Sequence, residues 1–523
     1  MRGRRLSFAP DGSIDPPARG QAAAASWRSA LSAAALMVAL VACATTPNPV
    51  TGRPEVVLMT PEQERELDER EAEKVAAQMG LVQDEELQAY VREIGAALAR
   101  HSPRKGVDYR FAVIEMDMPN AFALPGGHIY VSRGLVLLTN SEAELANVLG
   151  HEIGHVAARH AALRHAHATT MGWSTLISRL AGGGPQEGES IGGMWGQFAY
   201  GRNQEREADR VGMDLAVAAG IDPGGMGRFL RNLDASTRLL QGYSNSGGYL
   251  ASHPATAERI AETATRADGR SWTPGFAITR TRAEYLEKLD GMSVTRPASE
   301  GVFVDNRFLH PGMGFSLRFP RGWKFDNQNS AVFAVSPELD AMVMFGFAGK
   351  GDDPEAIART MAEEHGEHVG KGTSVRIGEL AGYRAKGELD TPLGRVKGEV
   401  TYVAFDGFVY RLVGGVERGS PGKYAGIFRN FARSFRRLTE QDREQISELR
   451  LRVAIAQEGE SLRTLGRRVG NEWDPNETAV VNGLHIAKSL AAGQLVKIAR
   501  REPFRPNDAQ DDEQDARGEN PEP

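Results

Sequence analysis

The stretch "GHEIGHVAARH", residues 150–160, sets His151 and His155 four positions apart and puts Glu152 directly after the first histidine. An α-helix turns by about 100° per residue, so both rings project from one face and can reach a single metal ion. Glu152 lies about 100° further round the helix, where it can act as a general base beside such an ion. The alternative is the polar side of an ordinary helix.

The residues before this stretch predict where its helix begins. Ser141 and Glu144 have the spacing of a capping box. An apolar stripe with helical periodicity follows, made of Leu145, Val148, Leu149, Ile153 and Val156. Continuing the helix places His160 about 180° from His151, on the surface, and His165 roughly 21 Å along the axis. We therefore expect neither His160 nor His165 to share the ion.

A catalytic zinc site needs a third protein ligand and one position left for water. Ala161 stands where the pattern HExxHxxGxxH would carry a third histidine, so that solution is excluded. A glutamate on another helix is the other solution. The predicted helix 202–218 contains "NQEREADRVG", residues 203–212, which offers Glu205 and Glu207.

Helical geometry separates these two glutamates. Glu205 and Asp209 are four positions apart and share a face, so Glu205 can bind the ion while Asp209 orients a histidine ring. Glu207 points about 200° away from Glu205. Ala208 and Gly212 are small, which would let this helix approach the histidine helix closely.

Length and composition limit the class of protein. The chain has 523 residues, more than one hydrophobic core accommodates, and we expect about three domains. Hydrophobic residues make up 41% and charged residues 25%, as in soluble globular domains. The net charge is −6 and no long basic stripe is present, which argues against nucleic acid as a partner.

The N-terminal residues predict a lipoprotein signal peptide over residues 1–43. Residues 29–42 form an apolar run of signal-peptide length, too short for a membrane-spanning helix. The run ends in "LVAC", which resembles a bacterial lipobox, and Cys43 would be lipidated there as the new N-terminus. Ala44 follows, and the resemblance to sorted lipoproteins then implies a periplasmic protein anchored to the outer membrane. The alternative is a buried thiol in an N-terminal helix.

We predict an α+β fold class. Residues 44–295 are expected to form a mainly helical zincin-type protease domain with a small β-sheet, from short strands at 109–115 and 120–132. The second stretch contains a turn, "PGG", at 125–127. Residues 298–440 alternate strands, hairpins and two helices, which predicts an α/β sandwich-like domain that resembles the PsbP/Mog-like fold.

The last part of the chain predicts a small βααβ module and a tail. Residues 445–501 have strand, helix, helix, strand order. With "GESL", "VNGL" and "GQLVKI" this unit resembles the LysM module, which implies binding to the glycan of peptidoglycan. Residues 502–523 are rich in Asp, Glu and Pro and are expected to be a disordered acidic tail.

Four stretches carry a resemblance to a known family. They are "HEIGHVAARH", "EREADRVG", "NAFALPGGHIYVSRGL" and "SHPATAERI". They resemble the gluzincin family of HtpX and CAAX prenyl proteases, and within it the soluble periplasmic BepA-type branch, over residues 48–265. The resemblance implies one Zn²⁺ per chain, endopeptidase action and clearance of misfolded envelope proteins.

The matching motifs assign the roles within this site. By resemblance, His151, His155 and Glu205 would bind the zinc ion. Glu152 would be the general base, and Asp209 would orient a ligand. BepA-type proteins often carry a helical-repeat domain behind the protease, and this sequence has no such repeat, so the substrate and partner role of that domain does not transfer.

The same resemblance places a substrate-binding edge strand near the motif helix. The strand consists of Asn120, Ala121, Phe122 and Ala123. An extended substrate would add to this edge through main-chain hydrogen bonds, with little sequence specificity. The alternative is that these residues are only sheet core.

His253, in "ASHPATAERI", has three possible roles. Pro254 disfavours helix at His253 and predicts a loop there. The resemblance to BepA-type proteins implies that His253 is a fourth zinc ligand that displaces the catalytic water. The resting enzyme would then be latent. The two other roles are a hydrogen-bond donor to the oxyanion and a surface or capping histidine.

The predicted function is a zinc-dependent metalloendopeptidase for misfolded or unassembled envelope proteins. The LysM-like unit suggests a peptidoglycan-associated hydrolase instead, but glycan cleavage usually needs a pair of carboxylates at a set separation. A non-catalytic outer-membrane assembly factor is the third reading. The intact Glu152 argues against it.

Overall fold

The computed structural model describes residues 45–56, 59–162, 200–240, 249–254, 256–327, 331–365, 368–391, 394–417 and 421–505. The predicted signal peptide with Cys43, His165 and residues 506–523 of the predicted tail lie outside the described residues. The prediction that the tail begins at residue 502 is wrong, because residues 502 and 503 belong to the last strand. Within them the fold is mixed α and β with several sheets. No helix of this described part is long and apolar enough to cross a membrane.

The first part of the chain is mainly helical around a small sheet. Its helices are α1 (Pro61–Met79), α2 (Glu85–Ala99), α3 (Arg133–Leu138), α4 (Glu142–Ala157), α5 (Arg202–Ala219), α6 (Gly225–Leu240), α7 (Tyr249–Ser252), α8 (Ala257–Asp268) and α9 (Arg282–Leu289). Its strands are β1 (Thr45–Pro47), β2 (Pro54–Val56), β3 (Arg110–Ile114), β4 (Ala121–Ala123) and β5 (His128–Ser132). Strands β1 and β2 pair with each other, and the other three have the order β3-β5-β4.

The predicted turn between two short strands is present. Strands β4 and β5 pair antiparallel, with Ala121 opposite Val131. Gly127 in the turn has a φ of 127°, a conformation that L side chains rarely adopt. A Cβ there would also lie 2.6 Å from the carbonyl oxygen of Asp108. The turn therefore needs glycine, and it leaves β4 at the edge of the sheet.

Helix α4 carries the two motif histidines and is buried almost all round. The Oγ of Ser141 accepts a hydrogen bond from the N–H of Glu144 at 3.3 Å, as the predicted cap requires. The capping box itself is only half formed, because the carboxylate of Glu144 accepts from the N–H of Asn140 instead of Ser141. The predicted apolar stripe lies in the main core. The helix ends at Ala157.

Helices α4 and α5 pack so closely that only small residues fit between them. A Cβ on Gly212 would lie 2.7 Å from the backbone nitrogen of His151. A Cβ on Gly154 would lie 2.9 Å from the carbonyl oxygen of Ala208. The close approach expected from Ala208 and Gly212 is therefore present, and it brings side chains of both helices to one point.

The middle of the chain is built on an eight-stranded sheet. Its strands and those of a smaller sheet are β6 (Val302–Val304), β7 (Arg307–His310), β8 (Phe315–Arg318), β9 (Lys324–Asn327), β10 (Ala331–Val335), β11 (Ala341–Lys350), β12 (His368–Val369), β13 (Thr373–Ile377), β14 (Leu380–Thr391), β15 (Gly394–Phe405), β16 (Phe408–Val416) and β17 (Arg436–Arg437). The helices here are α10 (Pro354–His365), α11 (Ala425–Arg433) and α12 (Glu440–Glu444). The large sheet has the order β12-β14-β15-β16-β11-β10-β9, with β13 beside β14, and the small sheet has the order β17-β8-β7-β6.

Both faces of the large sheet are covered. Side chains alternate along β11 because successive residues of a strand point to opposite faces. Val343 and Phe345 join a core with Phe428 of helix α11. Met342 and Met344 join a second core with α10 on the other face. This layered arrangement is of the kind predicted for residues 298–440.

The end of the chain forms a strand, helix, helix, strand unit in the predicted order. The elements are β18 (Ser447–Ile455), α13 (Leu462–Val469), α14 (Pro475–Val481) and β19 (Leu495–Pro503), and the two strands pair antiparallel. Leu451 and Trp473 belong to the same hydrophobic core as α4. Gly291 donates a backbone hydrogen bond to Leu451, and Leu451 donates one to Met292, each at 2.8 Å. The unit therefore packs on the first part of the chain. In the sequence, the residues of the eight-stranded sheet lie between these two parts.

A buried lysine fixes this C-terminal unit in place. The Nζ of Lys497 donates hydrogen bonds to the carbonyl oxygens of Leu137 at 2.6 Å and Thr139 at 2.7 Å. Those carbonyls stand at the end of α3, where helix carbonyls lack intrahelical partners. Burial lowers the pKa of Lys497 well below its usual range, against the opposing effect of Glu144.

Candidate metal centre

Three histidines and a glutamate meet in the interior between α4 and α5. The Nε2 atoms of His151 and His155 are 3.0 Å apart. The Nδ1 of His253 lies 3.2 Å from the Nε2 of His151 and 2.9 Å from the Oε1 of Glu205. All four residues are buried, and one ligand atom from each lies within 4.8 Å of the others. This group could hold a metal ion.

The proton position on His151 suits a metal ligand. Its Nδ1 lies 2.8 Å from the Oδ1 of Asp209. An ionised carboxylate only accepts hydrogen bonds, so the proton of the neutral ring is on Nδ1. The Nε2 lone pair then points into the group, which is the arrangement that metal-binding histidines show. Asp209 is therefore in direct contact with the ring of His151.

Arg259 of α8 completes the polar network, and the sequence analysis missed it. Its Nε and Nη2 donate to the two carboxylate oxygens of Asp209 at 2.7 and 2.8 Å, and its Nη1 lies 2.6 Å from the Oε2 of Glu205. Burial alone would raise the pKa of Asp209, but Arg259 holds it below its usual value. Burial would also raise the pKa of Glu205, but His253 and Arg259 hold that pKa well below its usual range. A single arginine on an amphipathic helix carries no signal of this role.

Glu152 lies beside the group without a hydrogen-bond partner. Both of its carboxylate oxygens are buried, and neither accepts a hydrogen bond from any residue that the structure describes. The Nε2 of His253 is 3.6 Å from its Oε1. The ring of His253 therefore lies between Glu205 and Glu152, with its Nδ1 towards Glu205 and its Nε2 towards Glu152. A buried carboxylate without hydrogen-bond partners is costly, and such groups occur more often at functional sites than elsewhere.

Two tyrosines pack against the histidine rings, and the sequence did not predict their place at the site. The ring of Tyr200 stacks on His155 with centroids 3.7 Å apart, and the ring of Tyr249 stacks on His253 at 4.4 Å. His253 follows helix α7 directly and precedes Pro254, so the predicted break in the helix at His253 is present. Burial lowers the pKa of His155 well below its usual value, which keeps this ring neutral near pH 7.

The prediction that His160 lies on the surface is wrong. Its side chain is 1% exposed, and its Nδ1 lies 2.9 Å from the Nδ1 of His155. The extrapolation at 100° per residue fails because α4 ends at Ala157 and Arg159 adopts a φ of 57°. That left-handed residue turns the chain back towards the histidines. Glu207, which was expected to point away from Glu205, reaches the Nε2 of His160 at 3.3 Å.

The predicted edge strand lies next to this centre. The carbonyl of Asn120 accepts from Ser132, and the N–H of Leu124 donates to His128, each at 2.8 Å. Because hydrogen-bonding directions alternate along a strand, the N–H groups of Ala121 and Ala123 point to the other edge. The four predicted residues are all buried.

This part of the chain is similar to known proteins. Residues 83–267 match peptidase family M48. A "Beta-barrel assembly-enhancing protease" of Yersinia pestis is 30% identical over 218 residues, covering 40% of this chain and 44% of that protein. A "Mitochondrial metalloendopeptidase OMA1" of Arabidopsis thaliana is 30% identical over 181 residues, covering 34% of this chain and 36% of that protein. The chain thus spans less than half the length of these relatives.

A solved structure aligns with part of the chain. The cyanobacterial PsbP protein of Synechocystis sp. PCC 6803 covers 26% of this chain and 95% of its own, at 11% identity and a TM-score of 0.21. That score is too low to establish a shared fold. The group of four ligand residues and Glu152, in contrast, fall within residues 83–267, so the site lies in the part of the chain that matches peptidase family M48.

Proposed function

We propose that this chain is a zinc-dependent endopeptidase that binds one zinc ion through His151, His155 and Glu205. The observation that carries the proposal is the buried group of these three residues and His253, set beside the unpartnered carboxylate of Glu152. Two imidazoles and a carboxylate are a ligand set of known catalytic zinc sites. The names of the relatives, a protease and a metalloendopeptidase, support the same reaction class.

Each residue has a part in peptide hydrolysis. Bound zinc would supply Lewis acidity, which lowers the pKa of a water and polarises a peptide carbonyl. Glu152 takes the proton from the attacking water and passes it to the leaving amine. Asp209 holds the proton on Nδ1 of His151, and Arg259 keeps Asp209 and Glu205 ionised. These contacts keep the ligand atoms ready to bind.

His253 is proposed to hold the resting enzyme latent. Its Nδ1 lies within the group of ligand atoms, and its Nε2 lies towards Glu152. The ring therefore occupies the space in which a water would have to lie to reach both the metal position and the base. We favour this latch over the oxyanion-donor role, because a donor would leave that space open. The surface role is disfavoured by the burial of the ring.

Extended peptide substrates are proposed to pair with strand β4. The N–H of Tyr249 donates to the carbonyl of Pro119 at 2.9 Å, directly before the strand. A substrate pairing with Ala121 and Ala123 would thus run past the segment that leads to His253. Proline at either alanine removes one N–H from this edge, and we expect a higher KM with kcat unchanged.

The natural substrates are proposed to be misfolded or unassembled cell-envelope proteins. The name of the bacterial relatives, which refers to assembly of β-barrels, supports this class. We also propose a lipid anchor at Cys43 that holds the protein at the outer membrane in the periplasm. The βααβ unit, residues 445–501, is proposed as a LysM-like module for peptidoglycan.

Two mutations of the full chain test the proposal. Glu152→Gln should retain one zinc per chain and reduce cleavage of denatured casein by at least about 10²-fold, the lower end for general-base catalysis. Glu205→Ala should lose zinc and activity together. Wild-type activity in Glu152→Gln would refute the assignment. Digestion of peptidoglycan sacculi with no effect on casein would favour a wall hydrolase, and inactivity on both substrates would favour an assembly factor.

A further inference from the structure

A second chain of polar contacts reaches the metal-binding group from the far end of α4. The Oε2 of Glu207 lies 3.3 Å from the Nε2 of His160, and the Nδ1 of His160 lies 2.9 Å from the Nδ1 of His155. The His155 and His160 rings meet edge to face, with an interplanar angle of 69°. Both rings are buried, while Glu207 is partly open to solvent.

Hydrogen-bond accounting along this chain gives one proton arrangement when both rings are neutral. A carboxylate only accepts, so the proton of neutral His160 is on Nε2, facing Glu207. The Nδ1 of His160 then offers only a lone pair. Two lone pairs cannot face each other at 2.9 Å, so the Nδ1 of His155 carries a proton. The Nε2 of His155, which lies 3.3 Å from Glu205 and 3.0 Å from His151, is left free to bind a metal.

We propose that Glu207 and His160 are positioning residues that fix the tautomer and ring orientation of His155 for metal binding. The inference rests on the metal centre proposed above. Asp209 does the same for His151 by direct contact. For His155 the carboxylate of Glu207 acts indirectly, through the ring of His160.

The fold holds His160 in this place through a strained residue. Arg159 adopts a left-handed φ of 57°, which is unfavourable for a residue with a side chain. Its Nε donates a hydrogen bond to Glu64 at 3.1 Å, and its Nη2 donates one to the carbonyl of Met59 at 2.7 Å. These contacts with the start of α1 offset the strain and keep the turn that presents His160.

Zinc affinity of the full chain, measured by competition with a chelating dye, tests the inference. His160→Leu removes the acceptor for His155 and should weaken zinc binding by about 10- to 100-fold, the usual effect of losing such a partner. His160→Gln can present its amide oxygen to the same N–H and should recover part of the affinity. Glu207→Gln, whose amide can donate as well as accept, should weaken binding less than His160→Leu.

Two further measurements separate positioning from simple packing. The visible absorption of the Co²⁺-substituted protein reports ligand geometry, and it should change in His160→Leu and return towards wild type in His160→Gln. Thermal unfolding of the zinc-free variants reports packing alone. His310→Leu, which removes a half-buried histidine of strand β7, is the control and should leave zinc affinity unchanged.

Each outcome decides the question. Wild-type zinc affinity in both His160→Leu and Glu207→Gln would overturn the inference while leaving the metal centre intact. If His160→Leu does not fold, wild-type affinity in both His160→Gln and Glu207→Gln would overturn it, and reduced affinity in Glu207→Gln would support it. A wild-type chain that binds no zinc would overturn the proposed function and this inference together.

Discussion

Two regions of the molecule bury their side chains in different ways: the M48 region, residues 83–267, which matches peptidase family M48, and the sheet region, residues 302–437. In the M48 region the charged groups Glu205, Asp209 and Arg259 are buried together and contact one another. In the sheet region the buried side chains are mostly apolar and form two clusters, one on each face of the large sheet. Its His310 is half-buried and accepts a hydrogen bond from the N–H of Met313 on its Nδ1, at 3.1 Å.

This difference follows from the cost of burying charge. Burying an unpaired charge costs several kcal/mol, so charges are buried together only where each compensates the others. Removing one member of such a network leaves the rest uncompensated. Removing one side chain from the sheet region affects that side chain and its packing neighbours. The two regions should therefore respond differently to single substitutions.

Arg259→Leu should have the largest effect on stability. It leaves Asp209 and Glu205 buried without their cation, which should cost about 3–5 kcal/mol. Urea unfolding of the zinc-free protein at pH 7 would measure it. The matched control is Arg437→Leu, which removes an exposed ion pair with Asp406 and should cause no measurable change. Equal small effects of both substitutions would contradict the contrast between the regions.

The pH dependence of the free energy of unfolding should contain a separate contribution from His310. Burial lowers the pKa of His310 from 6.5 to about 4. Between these values the unfolded chain binds more protons than the folded one, so stability falls as pH falls from 6.5 to 4 and the loss ends below 4. The contribution is at most about 3 kcal/mol. His310→Gln should remove this part of the slope in urea unfolding followed across pH. An unchanged slope would show that His310 is protonated in the folded state.

The C-terminal unit also buries a polar side chain, Lys497, and its hydrogen bonds can be tested. Lys497→Met leaves the carbonyls of Leu137 and Thr139 without their donor, which should cost about 1–3 kcal/mol. Lys488→Met changes an exposed lysine of the same unit and serves as the control. Equal unfolding midpoints for the two variants would show that the buried amino group contributes nothing.

His253→Ala should have the smallest energetic effect of these substitutions, and it should increase activity. If the ring is a latch, its removal raises basal casein cleavage several-fold, equivalent to about 1 kcal/mol. Zinc content should remain one per chain. His310→Ala, in the sheet region, should leave cleavage unchanged. A clear loss of activity in His253→Ala with zinc retained would favour the oxyanion-donor role, and no change would favour a bystander.

The sequence by itself determined the local chemistry of the site. The spacing of His151, Glu152 and His155 on one helix, and of Glu205 and Asp209 on another, follows from helical periodicity alone. The small residues Ala208 and Gly212 indicated the close approach of the two helices. The strands on either side of the "PGG" turn and the order of the last unit were also predictable, because turn residues and alternation are local signals.

Only the tertiary structure decided which distant residues join the site. Arg259 and Tyr249 lie in short helices with no pattern that distinguishes them from surface or core positions. His160 was placed on the wrong side, because the sequence does not show that α4 ends at Ala157 and that Arg159 is held left-handed by contacts with α1. The docking of Lys497 on α3 likewise depends on residues more than three hundred positions apart. Local periodicity fixes directions within a helix, whereas the end of a helix and its partners depend on contacts that only the folded chain makes.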